Sequence, residues 1–169
     1  MIKDVLNFAG AYRIANLKET RGMEGSGWYG ILFKGNFAVG EVADYGDGGP
    51  VFFRLLGTKS MEEELKAHAK AKCPLDPELK YDLSFEAFLD NLANYQFAIK
   101  KLITKGKKKM LAVDGKCEKD DCGVYKNYYT YSIPYTEEAA KQVKAKNPDT
   151  AIINEEFHLW EVPTVRARK

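Results

Sequence analysis

His158 stands next to Glu155 and Glu156 and two residues before Trp160, a grouping in which a carboxylate could orient an imidazole for acid–base work. If this segment is a strand, Glu156 and His158 share a side and Glu155 faces away. The competing reading is a histidine with a purely structural role. The second histidine, His68, follows Glu64 by four residues, which on a helix places both on one face as an ordinary pair. With only these two histidines, no catalytic residue is assigned.

Cys117 and Cys122 bracket Glu118, Lys119, Asp120 and Asp121, so a hairpin tip could bring two sulfurs together. A structural zinc site needs two more ligands at comparable spacing, and only the distant Cys73, His68 and His158 are on offer. No metal and no cofactor are assigned. Thiols in a turn and a strained local disulfide formed on oxidation both stay open. Gly46-Asp-Gly-Gly49 could offer backbone amides to an anion. It lacks the strand-then-helix setting and the Lys-Ser/Thr of a phosphate loop, and Asp44 and Asp47 would repel a phosphate. A hairpin turn accounts for it, and the loop around Gly25-Ser-Gly27 reads the same way.

The densest charge feature is Lys100, Lys101, Lys105, Lys107, Lys108 and Lys109. Such a cluster can neutralise phosphates beside stacking aromatics, or can simply complement a helix C-terminus and keep a turn solvated. The chain also carries ten tyrosines, nine phenylalanines and two tryptophans, more aromatic surface than its helices need. Core packing absorbs most of it. Trp28, Tyr29, Tyr45, Tyr128 and Tyr129 fall on short strands or strand ends, where some must face solvent and could anchor a partner.

These residues have to be placed by secondary structure. Residues 1 to 24 show no clean period and read as irregular, ending in the glycine-rich loop 21–27. Three short apolar and aromatic runs follow, 28–34, 37–44 and 51–56, separated by Gly35-Asn36 and 46–50, the pattern of an antiparallel meander. Ser60-Met-Glu-Glu63 reads as a capping box that starts a helix running to about Lys72. After the proline-bearing connector 74–83, Phe85, Phe88, Leu89, Leu92, Tyr95, Ile99, Leu102 and Ile103 predict a long helix from Ser84 to Gly106. Strands are expected at 110–113 and 124–133, with Tyr125, Tyr129, Tyr131 and Ile133 on one face of the second. Thr136 should cap a helix to about Lys146, closed by Asn147-Pro148, before a last strand over 151–157 and a frayed tail at 164–169. The expected order is β-β-β-α-α-β-β-α-β. The expected fold is one α+β domain over residues 1–169, with about three helices on an antiparallel or mixed sheet of short strands.

Composition adds boundaries. A net charge of +2 with 30% charged residues is too balanced for a DNA-coating protein or a DNA mimic. Three cysteines, an odd number, suit a reducing compartment, and with no signal-like start and no long apolar run the expected location is the cytoplasm, without membrane association.

Gly27-Trp-Tyr-Gly-Ile-Leu-Phe-Lys-Gly35, followed by Gly40-Glu-Val-Ala-Asp-Tyr-Gly-Asp-Gly-Gly49, resembles small accessory proteins encoded by bacteriophages, in which a strand pair precedes an acidic, glycine-rich turn. Pro134-Tyr-Thr-Glu-Glu138 and Ala151-Ile-Ile-Asn-Glu155 have a similar character, so the likeness spans the first third and last quarter of the chain. It transfers no site residue. It implies a class of proteins that often bind and block a host enzyme or defence system, here in host cytoplasm. The expectation is therefore a non-enzymatic binding protein acting sterically on a host protein or nucleoprotein. Lys105, Lys107, Lys108 and Lys109 would steer it, and Trp28, Tyr45 and Tyr129 would anchor it. Direct binding of nucleic acid by the same lysines and tyrosines is the first alternative. A small enzyme or nucleotide-sequestering protein built around His158 is the second. Oligomeric state is not legible.

Overall fold

The computed structural model describes residues 1–74 and 83–160. The connector 75–82 and the tail 164–169 lie outside the described residues. The fold is α+β, with two wholly antiparallel sheets. The described chain divides into two compact units where the sequence reads as one. One runs from Ala9 to Tyr95, and the other joins Met1–Phe8 to the residues from Gln96 onward.

The first unit is a four-stranded meander of β1 (Tyr12–Arg21), β2 (Ser26–Lys34), β3 (Phe37–Asp44) and β4 (Phe52–Leu55), in that spatial order. α2 (Lys59–Lys72) and the first half of α3 (Ser84–Gly106) complete it. β1 corrects the expectation of an irregular N-terminal segment. Tyr12, Ile14 and, past a register slip between Ala15 and Lys18, Leu17 turn to one side and are buried, while Ala15, paired with Ile31, is buried on the other. Asn16 sits in that slip at φ 55°, a left-handed conformation that asparagine tolerates better than most residues. Such a bulge shifts the phase of the alternation and bends the strand.

One face of this sheet is covered by helix. Trp28 Nε1 donates to Asp90 Oδ1 of α3 at 3.2 Å, and Phe53 meets Phe85 edge-on at 5.2 Å between ring centroids. Tyr12 packs against His68 of α2 and Phe88 of α3, at 5.1 and 6.0 Å. α2 is capped by Thr58, whose hydroxyl accepts from the Met61 amide at 3.3 Å. The expected Ser60–Glu63 capping box is thus displaced by two residues, and Ser60 lies inside the first turn. Glu64 pairs with Lys34 instead of His68, which is an aromatic packing residue.

Burial holds the Tyr12 phenol above the ordinary tyrosine value of about 10, with Glu64 adding to the shift and Lys34 opposing it. The folded state therefore keeps this proton more tightly than the unfolded chain does. The stability it contributes is complete below pH ~10 and is lost as pH rises through the folded value. Urea titrations at stepwise alkaline pH should show a steeper fall in stability for the wild type than for Tyr12→Phe. Equal slopes would remove Tyr12 as the cause.

In the second unit, β5 (Met110–Val113) is central, flanked by β6 (Tyr129–Tyr131) and β7 (Ala151–Ile152). All four β5 residues are buried because both faces of the strand are covered. Met110 and Ala112 meet Ala140 of α4 (Glu137–Lys146), while Leu111 and Val113 cluster with Leu102 of α3 and with Met1, which precedes α1 (Ile2–Ala9). Thr136 caps α4 as expected, accepting from the Ala139 amide at 3.1 Å.

Two expected strands are corrected here. Residues 124–133 form a strand only over Tyr129–Tyr131, apart from a single bridge between Lys119 and Tyr125, so of the expected shared face only Tyr129 and Tyr131 remain in line. The expected 151–157 strand is two residues long and turns into a 3-10 helix, Ile153–Leu159. Asn154 of that helix accepts from the Leu111 amide at 2.7 Å and donates to the carbonyls of Gly106 and Lys109, at 3.0 and 3.1 Å. At the last residue of α3 only glycine fits, because the Phe157 ring lies 2.3 Å from where a Cβ of Gly106 would stand.

Candidate functional site

The second face of the β1–β4 sheet carries the site. Antiparallel partners lie side by side on one face, so the register places Lys18, Tyr29, Ala43 and Phe52 in one row across all four strands. Thr20 and Gly27 lie in line with the strand end at Tyr45 on one side of it, and Ile31, Glu41 and Arg54 form the row on the other. Tyr29, Tyr45 and Phe52 are 43%, 56% and 40% exposed. They surround a concavity of about 750 Å³, within the range of roughly 300–1,000 Å³ common for ligand sites. Tyr45 and Phe52 contact each other at 6.0 Å, and the Lys18 ammonium lies 5.8 Å from the centre of the Tyr29 ring.

The rim is made where the two glycine-rich hairpins cross. Glu24 donates its amide to Gly46 O at 2.9 Å, and a Cβ on Gly22 would lie 2.0 Å from Tyr45 O. Gly46 takes φ 63° there. Its amide is used by Asp44 Oδ1 at 2.8 Å, and that of Gly49 by Asp47 Oδ1 at 3.0 Å. These two amides are spent on local turns, in keeping with the hairpin reading over an anion nest.

Trp28 is no anchor. Only 4% exposed, it belongs to the core, and its indole N–H is committed to Asp90. Tyr45 is on the open face as required. Tyr129 is 45% exposed but belongs to the other unit, as do Lys105, Lys107, Lys108 and Lys109, so the expected set is not gathered within one unit. All four lysines are exposed. Lys105 is tied to Tyr128, 3.3 Å from its hydroxyl and 4.8 Å from its ring centre. The Tyr129 phenol is raised above its usual value, first by the charge of Asp114. A carboxylate beside Tyr129 repels the phosphate of any nucleotide whose base would stack there.

No known protein family, curated protein or solved structure matches the chain. Function must therefore be argued from the geometry.

The His158 grouping is not arranged for catalysis. Because the segment is 3-10 helical, the strand alternation that would pair Glu156 with His158 does not apply. Glu155 is held by the Lys144 ammonium at 2.8 and 2.7 Å. Glu156 accepts from the Ile2 and Lys3 amides at 2.7 and 3.2 Å, which makes it the cap of α1. A 500 Å³ hollow does lie here, with His158 exposed at its lining, but both carboxylates are engaged elsewhere. At the 117–122 turn, Asp120 Oδ1 accepts from the Cys122 and Val124 amides, and all three cysteines are thiols. Among the described residues, no group of three His, Cys, Asp or Glu could hold a metal ion, and no helix is long and apolar enough to cross a membrane.

Sequence reasoning missed Lys18 and Phe52. The bulge hides the side on which Lys18 emerges. The loop 45–51 leaves the β3–β4 register, and with it the face of Phe52, open.

Proposed function

We propose that this chain is a non-enzymatic binding protein and that the open face of the β1–β4 sheet is what it binds with. The observation that carries the reading is the ring of exposed Tyr29, Tyr45 and Phe52 around a concavity on a sheet whose other face is covered by helix. Exposed tyrosine and phenylalanine on a rigid sheet bury much area at little entropic cost, as interface anchors do. The likeness to phage accessory proteins favours a steric mode, in which the face covers part of a protein in the host cytoplasm.

The second reading, nucleic-acid binding, draws on Lys107, Lys108 and Lys109, which are exposed and have no acidic partner among the described residues. One experiment separates the two. The tagged chain is used to capture partners from host lysate, with and without nuclease, alongside Tyr45→Ala/Phe52→Ala and a Lys107→Glu/Lys108→Glu/Lys109→Glu variant. A nuclease-resistant protein partner should be retained by the lysine variant and reduced at least about tenfold by the aromatic one. Equal capture by wild type and aromatic variant would refute the sheet face. Loss on nuclease treatment and in the lysine variant would put nucleic acid first.

A further inference from the structure

The charges around the same concavity are unequal in a way that specifies a ligand. Of the charged residues at its lining, Lys18 and Glu41 stand on the face of Tyr29, whereas Arg21 and Asp44, in register with Ser26 and Trp28, alternate to the other side. Glu41 is already engaged, with Arg54 at 2.5 Å across the β3–β4 pair. Lys18 has no acidic partner among the described residues. The concavity therefore offers one cation, Lys18, in want of an anion.

Its shape adds a second requirement. In the row Lys18–Tyr29–Ala43–Phe52, a small residue stands between two aromatic ones. Neighbouring strands are about 4.8 Å apart, so Tyr29 and Phe52 rise from backbones roughly 10 Å apart with only Ala43 between them. That opening suits a flat ring lying over Ala43, with Lys18 at the end of the row beyond Tyr29. Gly27, opposite Tyr45 in the adjoining row, adds no side chain to narrow it.

Resting on the reading of this face as the binding surface, we infer that it takes a small molecule in which a flat ring is joined to an anionic group. A nucleoside phosphate and an aromatic carboxylate share this chemistry, and the ring would lie between Tyr29 and Phe52 with the anion on Lys18. Stacking between aromatic faces and a charge-assisted contact to an ammonium supply the recognition.

The test is calorimetric titration of the full chain with the four ribonucleoside 5′-monophosphates, adenosine, ribose 5-phosphate, indole-3-carboxylate and 4-hydroxybenzoate. At least one ring-bearing anion should bind. Adenosine, which lacks the anion, and ribose 5-phosphate, which lacks the ring, should bind at least tenfold more weakly than the best monophosphate. The aromatic acids decide between phosphate and carboxylate sources. Lys18→Glu and Ala43→Leu should each weaken the best probe at least tenfold, the first by reversing charge and the second by filling the opening. Lys18→Glu alters only an exposed side chain, so it remains informative if Ala43→Leu fails to fold.

Failure of every ring-bearing anion to bind, or binding unchanged in Lys18→Glu, overturns the inference. If no probe binds but protein capture is still lost in Tyr45→Ala/Phe52→Ala, the ligand class falls and the binding face stands. If both fail, the face itself is wrong.

Discussion

A chain carrying Asn154→Leu is expected to lose about 3 kcal/mol of stability, a large part of the 5–15 kcal/mol typical of a folded domain. Leucine fills nearly the same space, so packing loss is not the cause. The three bonds of Asn154 satisfy the Leu111 amide and the carbonyls of Gly106 and Lys109. Leu111 is fully buried and Gly106 is buried too, so water cannot take over cleanly. Leaving one buried polar group without a partner costs about 1–3 kcal/mol, and the substitution strands several at once. Urea denaturation followed by far-ultraviolet circular dichroism measures the loss. A change below about 1 kcal/mol would mean that other groups replace the asparagine.

Trp28→Ala should cost about 3–5 kcal/mol, as expected for deleting a buried tryptophan. Trp28→Phe keeps much of the packing and gives up the bond to Asp90, so a smaller loss of about 1–2 kcal/mol is expected. The pair also checks where the binding face ends. Trp28→Phe should capture a partner as well as the wild type once the folded fraction is allowed for, because the indole packs on the helix-covered side of β2. A specific loss of capture in a fully folded Trp28→Phe would return Trp28 to the anchors.

Legibility in the sequence followed element length and regularity. α3 was readable because eight apolar residues repeat at helical spacing over twenty-three residues, and α4 because Thr136 and Asn147 mark its ends. α1 is too short, at eight residues, for Ile2, Val5, Phe8 and Ala9 to stand out as a face. β1 was lost to the phase shift at Asn16. In the 151–157 stretch, Ile152, Ile153 and Asn154 are buried in succession, which no alternating strand on one sheet face would give. Apolar residues there suggested a strand, and nothing local signalled that Asn154 would be recruited by carbonyls more than forty positions away. The candidate site was half legible. Tyr45 could be picked as an exposed aromatic, but which residues share its face depends on pairings between strands that the chain does not announce.

The bulge in β1 also bears on how copies of this chain behave together. Outer strands are templates on which another chain can add its own strand, and aggregation begins there. β4, β6 and β7, each at the edge of its sheet, offer only four, three and two residues. β1 is the long edge, ten residues, and it is there that Asn16 breaks the line of the backbone, with Arg13, Lys18, Glu19 and Arg21 charged along it. The same break spoils the edge for strand-to-strand stacking, so the protein should stay dispersed at concentrations where a straight ten-residue edge would nucleate fibres.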